Sequence, residues 1–93
     1  MKNPQLLFNT IFFSMPKLRS LTSKQLIKII INFDFEKISQ RGSHIKFLRF
    51  SSNQKQILII PNHKQIATGT MKEIFNQLCT FVPKEDLFNL FYH

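Results

Sequence analysis

The sequence predicts an α+β fold, a three-stranded antiparallel sheet with helices packed on one face, in the order α-β-β-β-α plus a short C-terminal helix. Three observations predict it: a helical repeat of apolar residues, then three strand-like runs separated by short turns, then two further helical patterns. Strands joined by short turns pair antiparallel, so the runs form a meander that the helices cover on one side. The other face of the sheet is left open.

The composition indicates one small folded domain with a positive surface. The chain has 93 residues, 43% of them hydrophobic and eleven of them phenylalanine, which excludes a disordered chain. Thirteen Lys and Arg face five Asp and Glu, so the formal net charge is +8. The basic residues are spread along the chain, which favours a folded basic face and a polyanionic partner, either nucleic acid or an anionic membrane surface.

The first helix is predicted over residues 23–32. Thr22 as N-cap and Gln25 three residues later form a capping box, and Leu21 can pack against Leu26. Apolar residues then recur at helical spacing, at Leu26, Ile27, Ile30 and Ile31.

Strands are predicted over residues 34–40, 43–50 and 56–60. Arg41 and Gly42 make the first turn and residues 51–54 the second. Pro61 ends the third strand because it has no N–H to continue the ladder.

Two helices are predicted after the sheet. A second capping box at residues 70–73 opens a helix with an apolar face of Ile74, Phe75 and Leu78. Pro83 at a first helical position, followed by two acidic residues, starts the final helix. Its expected apolar face consists of Leu87, Leu90 and Phe91.

His44 is the first candidate for chemistry, since the chain has no paired carboxylates, glycine-rich phosphate loop or metal-ligand spacing. Strand alternation places Ile45 and Phe47 toward the helices and His44 and Lys46 on the open face. Imidazole can take and return a proton near neutral pH, so His44 could act on an RNA 2′-hydroxyl while Arg41 and Lys46 stabilise the phosphorane. On spacing alone, an ordinary surface histidine after a hairpin turn is the favoured interpretation.

Each residue around His44 allows both a structural and a functional interpretation. Gly42 supplies a positive φ in the turn and also allows close approach of a phosphate. Ser43 either binds a phosphate or completes the turn. His63 follows the third strand and could join His44 near one site, but two histidines without a third ligand predict no metal site. Lys24 belongs to a basic helix face that either contacts phosphates or is solvated.

The motifs resemble the HicA (YcfA-like) mRNA interferase toxins from Met15 to the end of the chain. The elements that carry the resemblance are residues 15–19, 26–27, 33–35, 41–44, 60–64 and 69–74. The resemblance implies a double-stranded-RNA-binding-like fold and metal-independent cleavage of mRNA by the histidine of the Gly-Ser-His element, which is His44. It also implies a supporting role for Gly42 and Ser43, and a HicB antitoxin that covers the site. Gln65 departs from the family pattern, where an acidic residue is frequent.

These observations lead to one leading expectation, a cytoplasmic endoribonuclease toxin formed by residues 15–93, with residues 1–14 as an extension. A lone cysteine fits a reducing compartment. The expected partners are mRNA and a HicB-like antitoxin, with no membrane, metal or small-molecule cofactor. His44 is the expected catalytic residue, and the expected RNA contacts are Arg41, Lys46, Arg49, His63, Lys64, Lys24 and Lys28.

Two other functions remain open from the sequence. A non-catalytic RNA-binding module explains the charge and the open sheet face equally well. A peripheral membrane protein anchored by the apolar residues of segment 6–13 ranks third, because Lys2 is the only charge in residues 1–14.

Overall fold

The computed structural model describes residues 16–93, which form three helices and one sheet. In chain order the elements are α1 (Ser23–Asn32), β1 (Glu36–Arg41), β2 (His44–Ser51), β3 (Gln54–Pro61), α2 (Thr68–Cys79) and α3 (Lys84–Phe91). The sheet is an antiparallel meander with β2 in the middle. The predicted fold class and its double-stranded-RNA-binding-like arrangement are therefore confirmed. The predicted extension at residues 1–14, together with Met15, lies outside the described residues.

Helix α1 begins at the predicted capping box. The Thr22 N–H donates to Gln25 Oε1 at 2.9 Å, and the Gln25 N–H donates to Thr22 Oγ1 at 3.2 Å. The helix ends in a Schellman motif, in which Asp34 has a φ of 71° and the Phe35 N–H donates to the Ile30 carbonyl at 3.2 Å. Because Asp34 completes this cap, β1 begins at Glu36 rather than at residue 34.

The β2–β3 hairpin has a tighter turn than the sequence predicts. Ser52 and Asn53 alone form the loop, with φ of 52° and 63°, as in the primed turns whose twist matches that of paired strands. Strand β3 therefore begins at Gln54, two residues before its predicted start. Strand β1 carries an irregularity between Lys37 and Ser39 in its pairing with β2.

The core lies between the sheet and the helices. Ile45 and Phe47 of β2 are buried, which confirms the predicted alternation, and Leu58 and Ile60 of β3 are buried beside them. Both α1 and α2 contact β3. The helices contribute Leu26, Ile30, Met71, Ile74, Phe75, Leu78, Leu87 and Phe91 to the core. All of β1 is exposed, so the helices cover mainly the other two strands.

Helix α2 begins earlier than predicted, and the capping box at residues 70–73 is wrong. Its N-cap is Ala67, which makes no side-chain hydrogen bond, and Thr70 lies inside the first turn. Ile66 and Met71 are both buried, at the N′ and N4 positions that form a hydrophobic staple. Burial of Ile66 and Met71 thus places the N-cap at Ala67, three residues before the predicted N-cap Thr70.

Helix α3 departs from prediction on one face. Pro83 is the N-cap residue of α3, whereas the sequence predicts it at the first helical position, one step later in the helix. Leu87 and Phe91 are buried as predicted, but Leu90 is 40% exposed, so its assignment to the apolar face is wrong. The adjacent Phe88 packs against the core instead, with its ring stacked on Tyr92.

Candidate active site

The turn between β1 and β2 presents His44 at the start of the middle strand. Gly42 has a φ of 59°, and a Cβ at this position would meet no atom within 4 Å. The turn therefore needs glycine for its backbone conformation rather than for space. The Ser43 carbonyl accepts the Asn62 N–H at 2.6 Å, which joins the turn to the chain leaving β3.

His44 is exposed and lies in a row of three strand residues. Arg41 of β1 and Pro61 of β3 are its directly paired neighbours. Directly paired residues of antiparallel strands point to the same face, so Arg41 and His44 share the open face of the sheet. Lys46, two residues along β2, lies on this face as well. Two cations thus flank the imidazole.

An open pocket of ≈ 370 Å³, here called the His44 pocket, lies at this edge of the sheet. Its lining includes both His44 and His63, so the structure brings the two predicted histidines together. Gln65 and Thr70 add polar groups to the lining. Neither residue is among the site residues predicted from the sequence, although Thr70 lies within the segment 69–74 that resembles the HicA pattern and Gln65 directly follows the segment 60–64.

Ser23 fixes the backbone of His63. It is only 3% exposed, and its Oγ accepts the His63 N–H at 2.7 Å. The hydroxyl proton is directed at the carbonyls of Pro61 and His63, and the Ser23 N–H also donates to the His63 carbonyl, at 3.2 Å. The first residue of α1 therefore holds the end of β3 in place. This role of Ser23 is not among the expectations from the sequence.

A second open pocket of ≈ 340 Å³ also has His63 in its lining and is called here the Lys24–Lys64 pocket. Its lining residues are Thr22, Lys24, Asn62, His63 and Lys64. Both lysines are exposed, and no acidic residue lines the pocket. Lys28, also exposed, lies one helical turn after Lys24 and lines neither of the two pockets.

Arg49 lies on the opposite face of β2 from His44, because it shares the alternation of Ile45 and Phe47. Its guanidinium donates to Gln56 Oε1 at 2.7 Å, to the Phe33 carbonyl at 2.9 Å and to the Phe81 carbonyl at 3.0 Å. Phe33 is the C-cap of α1, and Phe81 follows the C-cap of α2. One side chain therefore binds carbonyl groups at the C-terminal ends of two helices, where a cation is favourable.

The family comparison now adds to this geometry. A family model described as the HicA toxin of bacterial toxin–antitoxin systems matches residues 23–78, more than half of the chain. The chain belongs to the HicA toxin family. No curated protein and no solved structure matches it significantly.

The HicA match covers the fold from the first residue of α1 to the next-to-last residue of α2. It therefore includes His44, His63, Ser23 and the lining of both pockets apart from Thr22, while α3 lies beyond it. The two pockets are thus features of the part of the chain that the HicA family model describes.

Among residues 16–93, no three His, Cys, Asp or Glu side chains are grouped so that they could hold a metal ion. Over the same range, none of the helices has the length and apolar character needed to cross a membrane.

Proposed function

We propose that this HicA toxin is a metal-independent endoribonuclease that cleaves mRNA, with His44 as the proton-transferring residue. The observation that carries the proposal is the exposed imidazole at the head of β2, inside an open pocket and on the same face as Arg41 and Lys46. The exposed His44 imidazole can reach a polyanionic substrate, and the overall charge of +8 attracts such a substrate to the protein.

The reaction that fits this set of residues is attack by the RNA 2′-hydroxyl on the adjacent phosphorus. His44 takes the 2′-hydroxyl proton as the new O–P bond forms, and the bond to the 5′-oxygen breaks. A proton returned by the imidazolium neutralises the leaving oxygen. The products are a 2′,3′-cyclic phosphate and a 5′-hydroxyl. Arg41 and Lys46 stabilise the negative charge that develops on the phosphorane oxygens.

Other residues of the site have supporting roles in this proposal. Gly42 and Ser43 keep the catalytic turn in shape, and His63, which lines the same pocket as His44, contacts RNA. Arg49 is left out of the RNA contacts because three of its donor groups already bind acceptors within the protein.

The test compares the full-length wild type with His44→Ala on a defined mRNA in excess EDTA. His44 is exposed and its substitution removes no core contact, so the variant should fold normally and lose cleavage. His93→Ala serves as the matched control, since His93 is also exposed and lies outside the site. Retained cleavage by His44→Ala would remove this residue from the mechanism, and 3′-hydroxyl ends on the fragments would exclude attack by the 2′-hydroxyl.

A second candidate function is a non-catalytic RNA-binding module. Phe50 is 67% exposed and pairs with Lys55 across the β2–β3 hairpin, so an aromatic ring and a cation lie side by side at the far end of the sheet. RNA-binding proteins use such rings to stack unpaired bases. This function predicts that RNA is bound in a salt-dependent way but stays intact with both wild type and His44→Ala.

The partner proposed for regulation is a HicB-like antitoxin, and the proposed compartment is the cytoplasm. An antitoxin that is acidic at the contact surface would neutralise the cations around His44, and one of its carboxylates could occupy the His44 pocket. Addition of the purified antitoxin should then stop cleavage at a fixed stoichiometry. Cleavage that continues in the assembled complex would contradict this role.

A further inference from the structure

The Lys24–Lys64 pocket has the chemistry of an anion site. Its charged side chains, Lys24 and Lys64, are both basic, and Asn62 and His63 add groups that can donate hydrogen bonds to an oxyanion. Since no acidic residue lines it, an anion meets no repulsion inside the pocket. Neither lysine takes part in the hydrogen bonds of the catalytic turn or of the Ser23 contact.

This pocket is next to the His44 pocket, because His63 lines both. Pro61 belongs to the first pocket and Lys64 to the second, and three residue steps span at most about 11 Å between Cα atoms. Ser23 holds the His63 backbone by hydrogen bonds, so the residue that the two pockets share has a fixed backbone position. A nucleic acid strand that occupies one pocket therefore has only a short distance to cover to the other.

We propose that the Lys24–Lys64 pocket binds the phosphate next to the scissile phosphate of the same RNA strand. The inference rests on the proposed function, since it takes the His44 pocket as the position of the scissile phosphate. A dinucleotide contains one phosphate and cannot fill both pockets. The smallest substrate that uses the whole site is consequently a trinucleotide.

The test measures binding of the full-length His44→Ala variant to a short RNA in which one phosphate at a time is replaced by an uncharged methylphosphonate. Binding needs no cleavage, so the scan reports on the pockets even in an inactive protein. Two adjacent positions should be sensitive, each replacement weakening affinity about tenfold, as for the loss of one hydrogen-bonded charge.

Second-site variants then assign the two positions. Adding Lys64→Gln should abolish the sensitivity at one of them, while adding Arg41→Gln should abolish it at the other. Lys84→Gln is the matched control, because it removes the same charge from an exposed position of α3 outside both pockets and should leave both sensitive positions unchanged. The salt dependence of binding should fall by about one phosphate contact with Lys64→Gln.

The outcomes separate this subsite from the nuclease activity. If the wild type cleaves RNA but Lys64→Gln abolishes the sensitivity at neither position of the scan, the proposed subsite is overturned and the nuclease proposal stands. That scan result is also the one expected if the pocket receives a carboxylate of the antitoxin instead. The paired pattern without cleavage supports the subsite and overturns the nuclease, and absence of RNA binding overturns both.

Discussion

Arg49 offers a direct test of whether a basic residue of this toxin acts in the fold or on RNA. Replacement by lysine keeps the charge but removes the planar guanidinium that reaches three acceptors at once. A single ammonium group cannot replace contacts to Gln56, Phe33 and Phe81, which belong to β3 and to the ends of two helices. The stack of the guanidinium over the Phe35 ring, 5.1 Å from its centroid, is altered too.

The expected loss of stability follows from these contacts. A hydrogen bond from a charged group contributes about 1.5–3 kcal/mol, and Arg49→Lys forfeits at least two of the three. Arg49 is half-buried, so water replaces part of the loss. We therefore expect a decrease of about 2–3 kcal/mol in the free energy of unfolding. In a domain of this size, that lowers Tm by about 8–24 °C.

The assay is urea unfolding followed by circular dichroism, with RNA affinity measured in parallel at several salt concentrations. Arg49→Lys should move the midpoint to lower urea with an unchanged m value, and it should leave the salt dependence of RNA binding as in the wild type. Lys55→Arg, an exposed swap on β3, is the control and should shift stability by less than about 0.5 kcal/mol. Wild-type stability of Arg49→Lys combined with weakened RNA binding would refute the structural role.

Two further predictions concern the backbone around the two histidines of the proposed site. Ser23→Ala removes the buried hydroxyl that accepts the His63 N–H and donates to the carbonyls of Pro61 and His63, so it should cost about 1–3 kcal/mol of stability and weaken RNA binding, whereas the exposed Ser39→Ala should do neither. Urea unfolding and the phosphate scan measure the two effects; unchanged values in both would contradict the anchoring role. Gly42→Ala places a side chain at a φ of 59° and should cost about 1–2 kcal/mol, while Gly42→Asn should cost less because Asn tolerates this conformation. Equal thermal melting of the two variants would argue against backbone strain.

Much of the fold is predictable because its signals are local. The capping box of α1 lies within four residues, and the β2–β3 turn lies within a run of small polar residues. Strand alternation around Phe47 correctly separates the buried from the open face. Signals of this kind depend on neighbours in the chain, which the sequence displays directly.

The errors arise where distant residues compete with a local signal. The polar pair at residues 70–73 resembles a cap, yet Ile66 is buried and its N–H donates to the Leu21 carbonyl at 3.1 Å, so the chain is already fixed before Thr70. Leu90 matches the spacing of an apolar face, but a helix of eight residues at the edge of the core buries only two of its side chains. Tertiary burial decides both cases.

The candidate site is predictable to a similar extent. Its exposed groups, His44 and His63, are recognisable because each follows a turn or a strand end. Ser23 is not recognisable, since its hydroxyl meets carbonyls 38 and 40 residues away. Arg49 was grouped with the RNA contacts by its charge, although its place in the alternation with Ile45 and Phe47 indicates the helix-facing side.

Strand β2 thus divides two tasks between its two faces. Ile45, Phe47 and Arg49 hold the helices to the sheet, and His44 and Lys46 face the open side. Because the two sets alternate along one strand, a change on one face need not disturb the other. Loss of activity without loss of stability is therefore expected for His44→Ala, and the reverse for Arg49→Lys. If His44→Ala and Arg49→Lys each impaired both activity and stability, the site would depend on the core in a way that this alternation does not explain.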